Sequence, residues 1–283
     1  MKKFFNIEII ILTVFCILVW LPVAMIAGGS LMSGDEFAQN LSPVLDDGNG
    51  GNMARWSIIP QYPTLRFYVE LLIDSPGFFI MFWNSCKIVF PILAGQLLIC
   101  VPAAWGFARY DFRFKNILLV IYLALMLMPF QVTMVSNYLV LDRLNLLNSH
   151  LGIIMPAVFS TFPVFIMYRF FRAVPASLLE AAEIDGAGEF KIFIYVGLPM
   201  GAPGIVSIIV LEFLEYWSII EQPLTFLKDK SLWPLSLFLP DIASGSNGLY
   251  LAASVVMIIP SLLIFLFGQK YLEKGIRASG LKE

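Results

Sequence analysis

The sequence predicts an all-α protein that crosses a membrane six times, and three observations carry that prediction. Charged residues are 13% of 283, where a soluble domain covers its surface with roughly 25%. Hydrophobic residues are 59%, and the mean hydropathy is +0.83. The apolar residues gather in runs of about 20, the length that spans ~30 Å of hydrocarbon at about 1.5 Å per residue. No internal repeat and no second domain is visible, so residues 1–283 read as one transmembrane domain.

The first span covers residues 7–28. Lys2 and Lys3 before an apolar stretch also fit a secretory signal, with Ala24 to Ala27 as its cleavage region. The run from Ile7 to Ala27 exceeds the roughly 7–15 residues of a signal core, and Glu8 interrupts its start, which favours an uncleaved span. Residues 29–78 form the longest polar segment. Asp46 to Asn52 reads as a linker or loop tip. Trp56, Pro60, Tyr62, Pro63 and Phe67 follow, and aromatics of this kind favour headgroup depth.

The second span, 79–108, is long enough to tilt or to project beyond the bilayer. The third, fourth, fifth and sixth spans fall at 117–139, 151–172, 199–221 and 249–270. Pro22, Pro91, Pro102, Pro129, Pro156, Pro163 and Pro260 lie inside spans, where membrane helices tolerate kinks if neighbours satisfy the freed carbonyls.

Basic residues set the orientation. Lys2, Lys3, Arg109, Arg113, Lys115, Arg169, Arg172, Lys191, Lys270, Lys274, Arg277 and Lys282 collect on one side. The other side holds Arg55, Arg66, Arg143, Lys228 and Lys230, with Lys87 inside the second span. The richer side is cytoplasmic by the positive-inside rule, which puts both termini and the segment 173–198 in the cytoplasm.

That segment has the punctuation of a short helix. Pro175 is preset for a first turn, and Ser177 and Glu180 have capping-box spacing. A helix is expected over 176–185, with Gly186 ending it in the left-handed conformation. Leu178, Ala181, Ala182 and Asp185 share one face at i, i+3, i+4, i+7. Glu180, Glu183 and Asp185 are available to basic residues of a partner. A docking helix and a solvated helix lying on the membrane both fit. Membrane-surface helices favour Lys and Arg on their polar face, and this one is acidic.

Three glutamates sit in or beside the fifth span. A charge at bilayer depth costs about 2.5–3.5 kcal/mol on insertion scales, so Glu212 and Glu215 are expected to face a bundle interior or a wet cavity. Ser218 and Glu221 continue their face, with Tyr216 and Trp217 nearby. These residues read either as a solute-lining stripe or as contacts to a second subunit. Gln131, Ser136 and Asn137 of the third span are similar candidates.

Other chemistries are disfavoured. No Asp lies within the six spans, His150 lies outside them, and neither a G-x-S-x-G elbow nor a G-x-x-x-x-G-K-[ST] phosphate loop occurs. Cys16, Cys86 and Cys100 sit in apolar runs without metal or disulfide spacing.

The run Glu180-Ala181-Ala182-Glu183-Ile184-Asp185-Gly186-Ala187, closing on Leu198-Pro199, resembles the EAA loop of ATP-binding-cassette (ABC) importer permeases. The likeness extends in order through Asn84-Ser85, Ala108-Arg109-Tyr110, Phe112 to Lys115, Met128-Pro129 with Gln131, and Leu146 to Ser149. It continues through Tyr168 to Phe171 with Pro175, Trp217 with Pro223-Leu224, and Gln269-Lys270-Tyr271 with Gly275 and Gly280 to Lys282. The chain is thus similar to the second permease of maltose-type carbohydrate importers. Two departures are Ser218, where that family commonly has Asn, and the acidity of the fifth span.

The resemblance implies the type I importer fold in the bacterial inner membrane. It implies a homologous second permease, two copies of a cytoplasmic ATPase that carry the ATP and Mg²⁺, and an extracytoplasmic solute-binding protein. No cofactor on this chain and no nucleic acid are implied. Glu180, Ala181, Ala182, Asp185, Gly186 and Ala187 would couple to the ATPase. Glu212, Glu215, Tyr216, Trp217, Ser218 and Asn137 would line the pathway. An ion-coupled secondary transporter is the rival; it requires paired unwound helices in inverted repeats, which the sequence lacks.

Overall fold

The computed structural model describes the backbone of residues 2–36, 39–40, 59–238 and 247–280, and side chains within 8–272 of these. The linker Asp46 to Asn52, Arg55, Trp56, Leu281 and Lys282 lie outside the described residues. Helices α1 (Lys2–Gly29), α2 (Arg66–Val69) and α3 (Pro76–Arg109) come first. Then follow α4 (Lys115–Met126), α5 (Phe130–Arg143), α6 (Leu151–Val158) and α7 (Thr161–Arg172). The chain continues through α8 (Ala176–Ile184), α9 (Glu189–Ile192), α10 (Leu198–Trp217), α11 (Glu221–Phe226) and α12 (Asn247–Gly280). No strand occurs among the described residues. Among the described residues five helical stretches are long and apolar enough to cross a membrane, six if α4 and α5 form one broken span.

Proline explains where the helices depart from the expected spans. The third span, expected as one helix over 117–139, is two helices bent by 101°. Pro129 disfavours helical backbone at the residue before it and itself sits extended, at ψ 148°. The fourth span pauses at Phe159–Ser160, because Pro163 removes an N–H and crowds the carbonyl four residues back. The fifth span, expected over 199–221, ends at Trp217 for the same reason. Pro223 cannot follow a helical Ile219, whose carbonyl instead accepts the Ser236 hydroxyl. At its other end this span begins early: α9 runs through a π turn, Phe193–Gly197, straight into α10. Beyond the expected helix over 176–185, the segment 173–198 is therefore also helical from Glu189 onward, continuous with the fifth span.

Contacts divide the chain into two units, residues 1–80 with 237–260 and residues 81–236 with 261–283. In the first, Glu36 accepts the amides of Gln61 (2.9 Å) and Tyr62 (3.3 Å), fastening the ends of a polar segment. Phe67, expected at the membrane interface, is buried there, and the ring leaves no room for a side chain at Gly248. Residues Ile9 to Val23 of α1 are exposed along the helix, Cys16 among them.

The second unit is built on close backbone approach. A methyl group at Gly197, Gly201 or Gly204 would stand 2.7, 2.4 or 2.5 Å from the rings of Trp105, Phe171 and Phe170. Small residues at membrane helix contacts permit such approach. A core of Cys100, Val101, Ala104, Trp105, Val164, Met167, Phe171 and Ile208 joins α3, α7 and α10. Trp105 meets Phe171 edge-on at 5.3 Å. His150 braces a loop, its ring 3.0 Å from the Leu232 carbonyl.

Candidate coupling helix and pathway residues

Helix α8 forms where expected and ends as expected, but it starts differently. Pro175 is its N-cap, extended at ψ 131°, and no side chain caps the helix; Ser177 and Glu180 form no capping box. At the other end Gly186 has φ +78°. Its amide bonds to the Glu183 carbonyl and that of Ala187 to the Ala182 carbonyl, both 3.0 Å. This is the double bond of a Schellman turn, which needs a left-handed residue at the position of Gly186.

Leu179 is buried in the core, and Ala182 and Ala187 pack partly against it. Ala182 therefore faces inward, apart from Leu178 and Ala181 with which the sequence grouped it. The outward surface presents Leu178, Glu180, Ala181, Ile184 and Asp185, with Ile184 86% exposed. Glu183, expected to be available to a partner, pairs with Arg109 at the end of α3. Arg109 also reaches Glu189 at 3.6 Å, and the Tyr110 hydroxyl donates to Glu189 at 3.0 Å. Burial and the Glu189 carboxylate push the Tyr110 hydroxyl above its ordinary range, so it stays a donor. Arg109 and Tyr110 were visible in the sequence as part of a matching motif, but only their position beside the acidic helix shows a use for them.

The pathway candidates separate into two groups. Glu212 is 4% exposed and accepts a hydrogen bond from Gln96 Nε2 at 2.9 Å, while the same amide donates to the Ala157 carbonyl at 3.0 Å. Tyr216 and Trp217 are buried, and Trp217 stacks on Phe213 at 5.3 Å. These three belong to the interior of the helix bundle rather than to a lining stripe. The cavity beside Gln96 is about 10 Å³, about room for one water and none for a sugar. Glu215 and Ser218 are exposed, and Asn137 is half-buried on α5. Ser218 donates to its own helix at Leu214, 2.8 Å. Glu221 is off the helix that carries Glu215, and Gln131 donates to it at 2.6 Å. Among the described residues no cluster of His, Cys, Asp or Glu could hold a metal ion.

Apolar spans, one of them bent by 101°, with a short polar helix presented between the fourth and fifth, make this a multi-pass membrane protein. Residues 97–278 match the family described as binding-protein-dependent transport system inner membrane component. The arabinooligosaccharides transport system permease protein AraQ of Bacillus subtilis (strain 168) is 31% identical over 228 residues, 80% of this chain and 81% of that one. The protein of the same name from Halalkalibacterium halodurans is 28% identical over 226 residues, 79% and 81% of the two chains. A chain solved as part of a bacterial ABC transporter involved in the import of the acidic polysaccharide alginate has the same fold, with TM-score 0.81 and 21% identity. That match covers 95% of this chain and 96% of the other. The chain belongs to the binding-protein-dependent transport system inner membrane component family: it is an ABC importer permease, and the ion-coupled alternative falls away.

Proposed function

We propose that this chain is one permease subunit of an ATP-driven importer of a carbohydrate, coupled through α8 to a separate ATPase. The observation that carries the proposal is the construction of α8. Its inner face is seated on the core, its C-terminal turn is fixed by Gly186, and its outer face offers Leu178, Ile184, Glu180 and Asp185. A helix held this firmly with apolar and acidic groups facing outward suits a groove with basic flanks. The carbohydrate assignment follows the relatives, which are named as arabinooligosaccharide transport permeases.

In this reading both termini and α8 are cytoplasmic, by the distribution of Lys and Arg. Two ATPase copies bind the ATP and Mg²⁺, a homologous permease completes the pathway, and a solute-binding protein delivers the sugar. ATP binding closes the ATPase dimer, α8 carries the movement into the spans, and the pathway opens to alternate sides. Glu215 and Ser218 are the exposed residues of α10 and its end that contact the sugar or the second permease.

Purification of the tagged chain from its native membrane in mild detergent, with mass spectrometry of what accompanies it, tests this. An ATPase and a second permease are expected with the wild type, and the ATPase is expected to be lost from Glu180→Lys/Gly186→Arg. Retention of the ATPase by that variant, at normal membrane levels, would defeat the docking assignment.

A further inference from the structure

Two carboxylates on opposite sides of the Gly186 turn meet one guanidinium. Glu183 is on α8 and Glu189 opens α9, and Arg109 pairs with both. Tyr110 holds Glu189 from the other side. We infer that Arg109 is a positioning residue, a pin that makes α8 move as one body with α3; the inference rests on α8 being the ATPase-facing helix.

The apolar seat of α8 does not fix it alone. Leu179 supplies one buried side chain, whereas Ala182 and Ala187 are short, and a surface of alanines against the core permits sliding. Nη2 of Arg109 bridges the two carboxylates, and a charge-assisted contact to both sides of the turn adds the directional constraint such a surface lacks. The covalent route from α8 into the fifth span is not a straight helix either. It passes the Gly186 turn and then the π turn Phe193–Gly197, an irregular stretch of helix.

The route through Arg109 is continuous helix. Gln96 lies about 20 Å along α3 from Arg109 at about 1.5 Å per residue, and there its amide reaches Glu212 of α10. Helix α8 is thus tied to the fifth span twice, once by the chain and once through α3. A push on α8 then displaces α3 and α10 together.

The Arg109 side chain is 22% exposed, and Glu183 and Glu189 are 47% and 51% exposed. Pairs this wet add little to stability, so removing the arginine leaves the bundle folded and changes its mechanics. That separation makes the pin testable.

The experiment uses the complex in lipid nanodiscs, with Cys16, Cys86 and Cys100 replaced by alanine. Spin labels at Ser177→Cys on α8 and Leu98→Cys on α3 report the distance between the two helices, with and without ATP–vanadate. The wild type is expected to give one narrow distribution, the same in both states. Arg109→Ala is expected to keep its ATPase, to broaden the distribution, and to shift it on ATP–vanadate trapping. Stimulation of ATP hydrolysis by the binding protein should fall about tenfold, within the range of coupling between sites. Arg109→Glu/Glu183→Arg should restore the narrow distribution, and Arg109→Lys should restore it in part.

An Arg109→Ala distribution identical to wild type, with the ATPase bound, overturns the pin and leaves the docking assignment standing. Loss of the ATPase from Arg109→Ala makes Arg109 a docking residue and also overturns the pin. A wild-type complex without any ATPase removes both.

Discussion

Gln96 and Glu212 show how a residue that reads as functional in sequence can be structural in the fold. A glutamate in an apolar span must find a polar partner, and it finds the Gln96 amide, whose second N–H bonds to the Ala157 carbonyl. That carbonyl lies in the last turn of α6, where the fourth span pauses, and the neighbouring carbonyls of Val158 and Ser160 accept from Cys100 Sγ at 3.6 and 3.7 Å. The second span thus reaches backbone acceptors on both sides of the pause in the fourth. Removing one member of a buried pair leaves the other unsatisfied, at a cost of about 1–3 kcal/mol, whereas replacing both with apolar groups of similar shape is close to neutral. Gln96→Leu is therefore expected to lower the thermal midpoint of the detergent-purified protein. Gln96→Leu/Glu212→Leu is expected to recover much of the loss, the remainder reflecting the Ala157 carbonyl. A double variant no more stable than the single one would show that Glu212 is not held by Gln96. Sequence alone placed Glu212 correctly as facing inward. It could not distinguish the interior of one bundle from a cavity between two, because both satisfy the same desolvation argument.

Elements were legible where the local chemistry is strong and illegible where a distant contact decides. Gly186 is the clear case of the first kind: a glycine after a short acidic helix predicts a left-handed C-terminal turn, and φ is +78°. A methyl group at Gly186 meets no neighbour within 4 Å, so strain in the backbone is the whole effect of an alanine there. That strain is about 1–2 kcal/mol for a residue with a side chain. Gly186→Ala is expected to speed hydrogen exchange at the amides of 185–187 roughly tenfold, with α3 and α10 protected as before. Unchanged exchange there would mean the turn is not held by its glycine. The start of α8 is the opposite case. Ser177 and Glu180 have the right spacing for a capping box, but Pro175 starts the helix two residues too early for the serine to cap it. The 101° bend of the third span was legible as a kink at Met128-Pro129, not as a corner. Beyond the corner α5 meets α11, where Gln131 donates to Glu221, a contact between residues far apart in sequence.

For the whole molecule, the question that orders the rest is which side of the membrane α8 faces, because a docking helix on the outer side could not meet an ATPase. The argument from Lys and Arg puts the 59–75 segment and α8 on opposite sides, separated by three crossings if α4 and α5 make one span. The strong bend makes that count the weak point, since a re-entrant pair would leave the number of crossings even and place both on one side. Two exposed residues decide it: Ile59, 78% exposed, and Ile184, 86% exposed. In a background with Cys16, Cys86 and Cys100 replaced by alanine, Ile59→Cys is expected to react with a membrane-impermeant maleimide on intact cells. Ile184→Cys is expected to react only after the cells are opened. Labelling of both from outside would make α4 and α5 a re-entrant pair and remove α8 from the cytoplasm. Labelling in the expected pattern fixes the bent third span as a crossing, and with it the route by which a push on α8 reaches α3 and α10 from the cytoplasmic side.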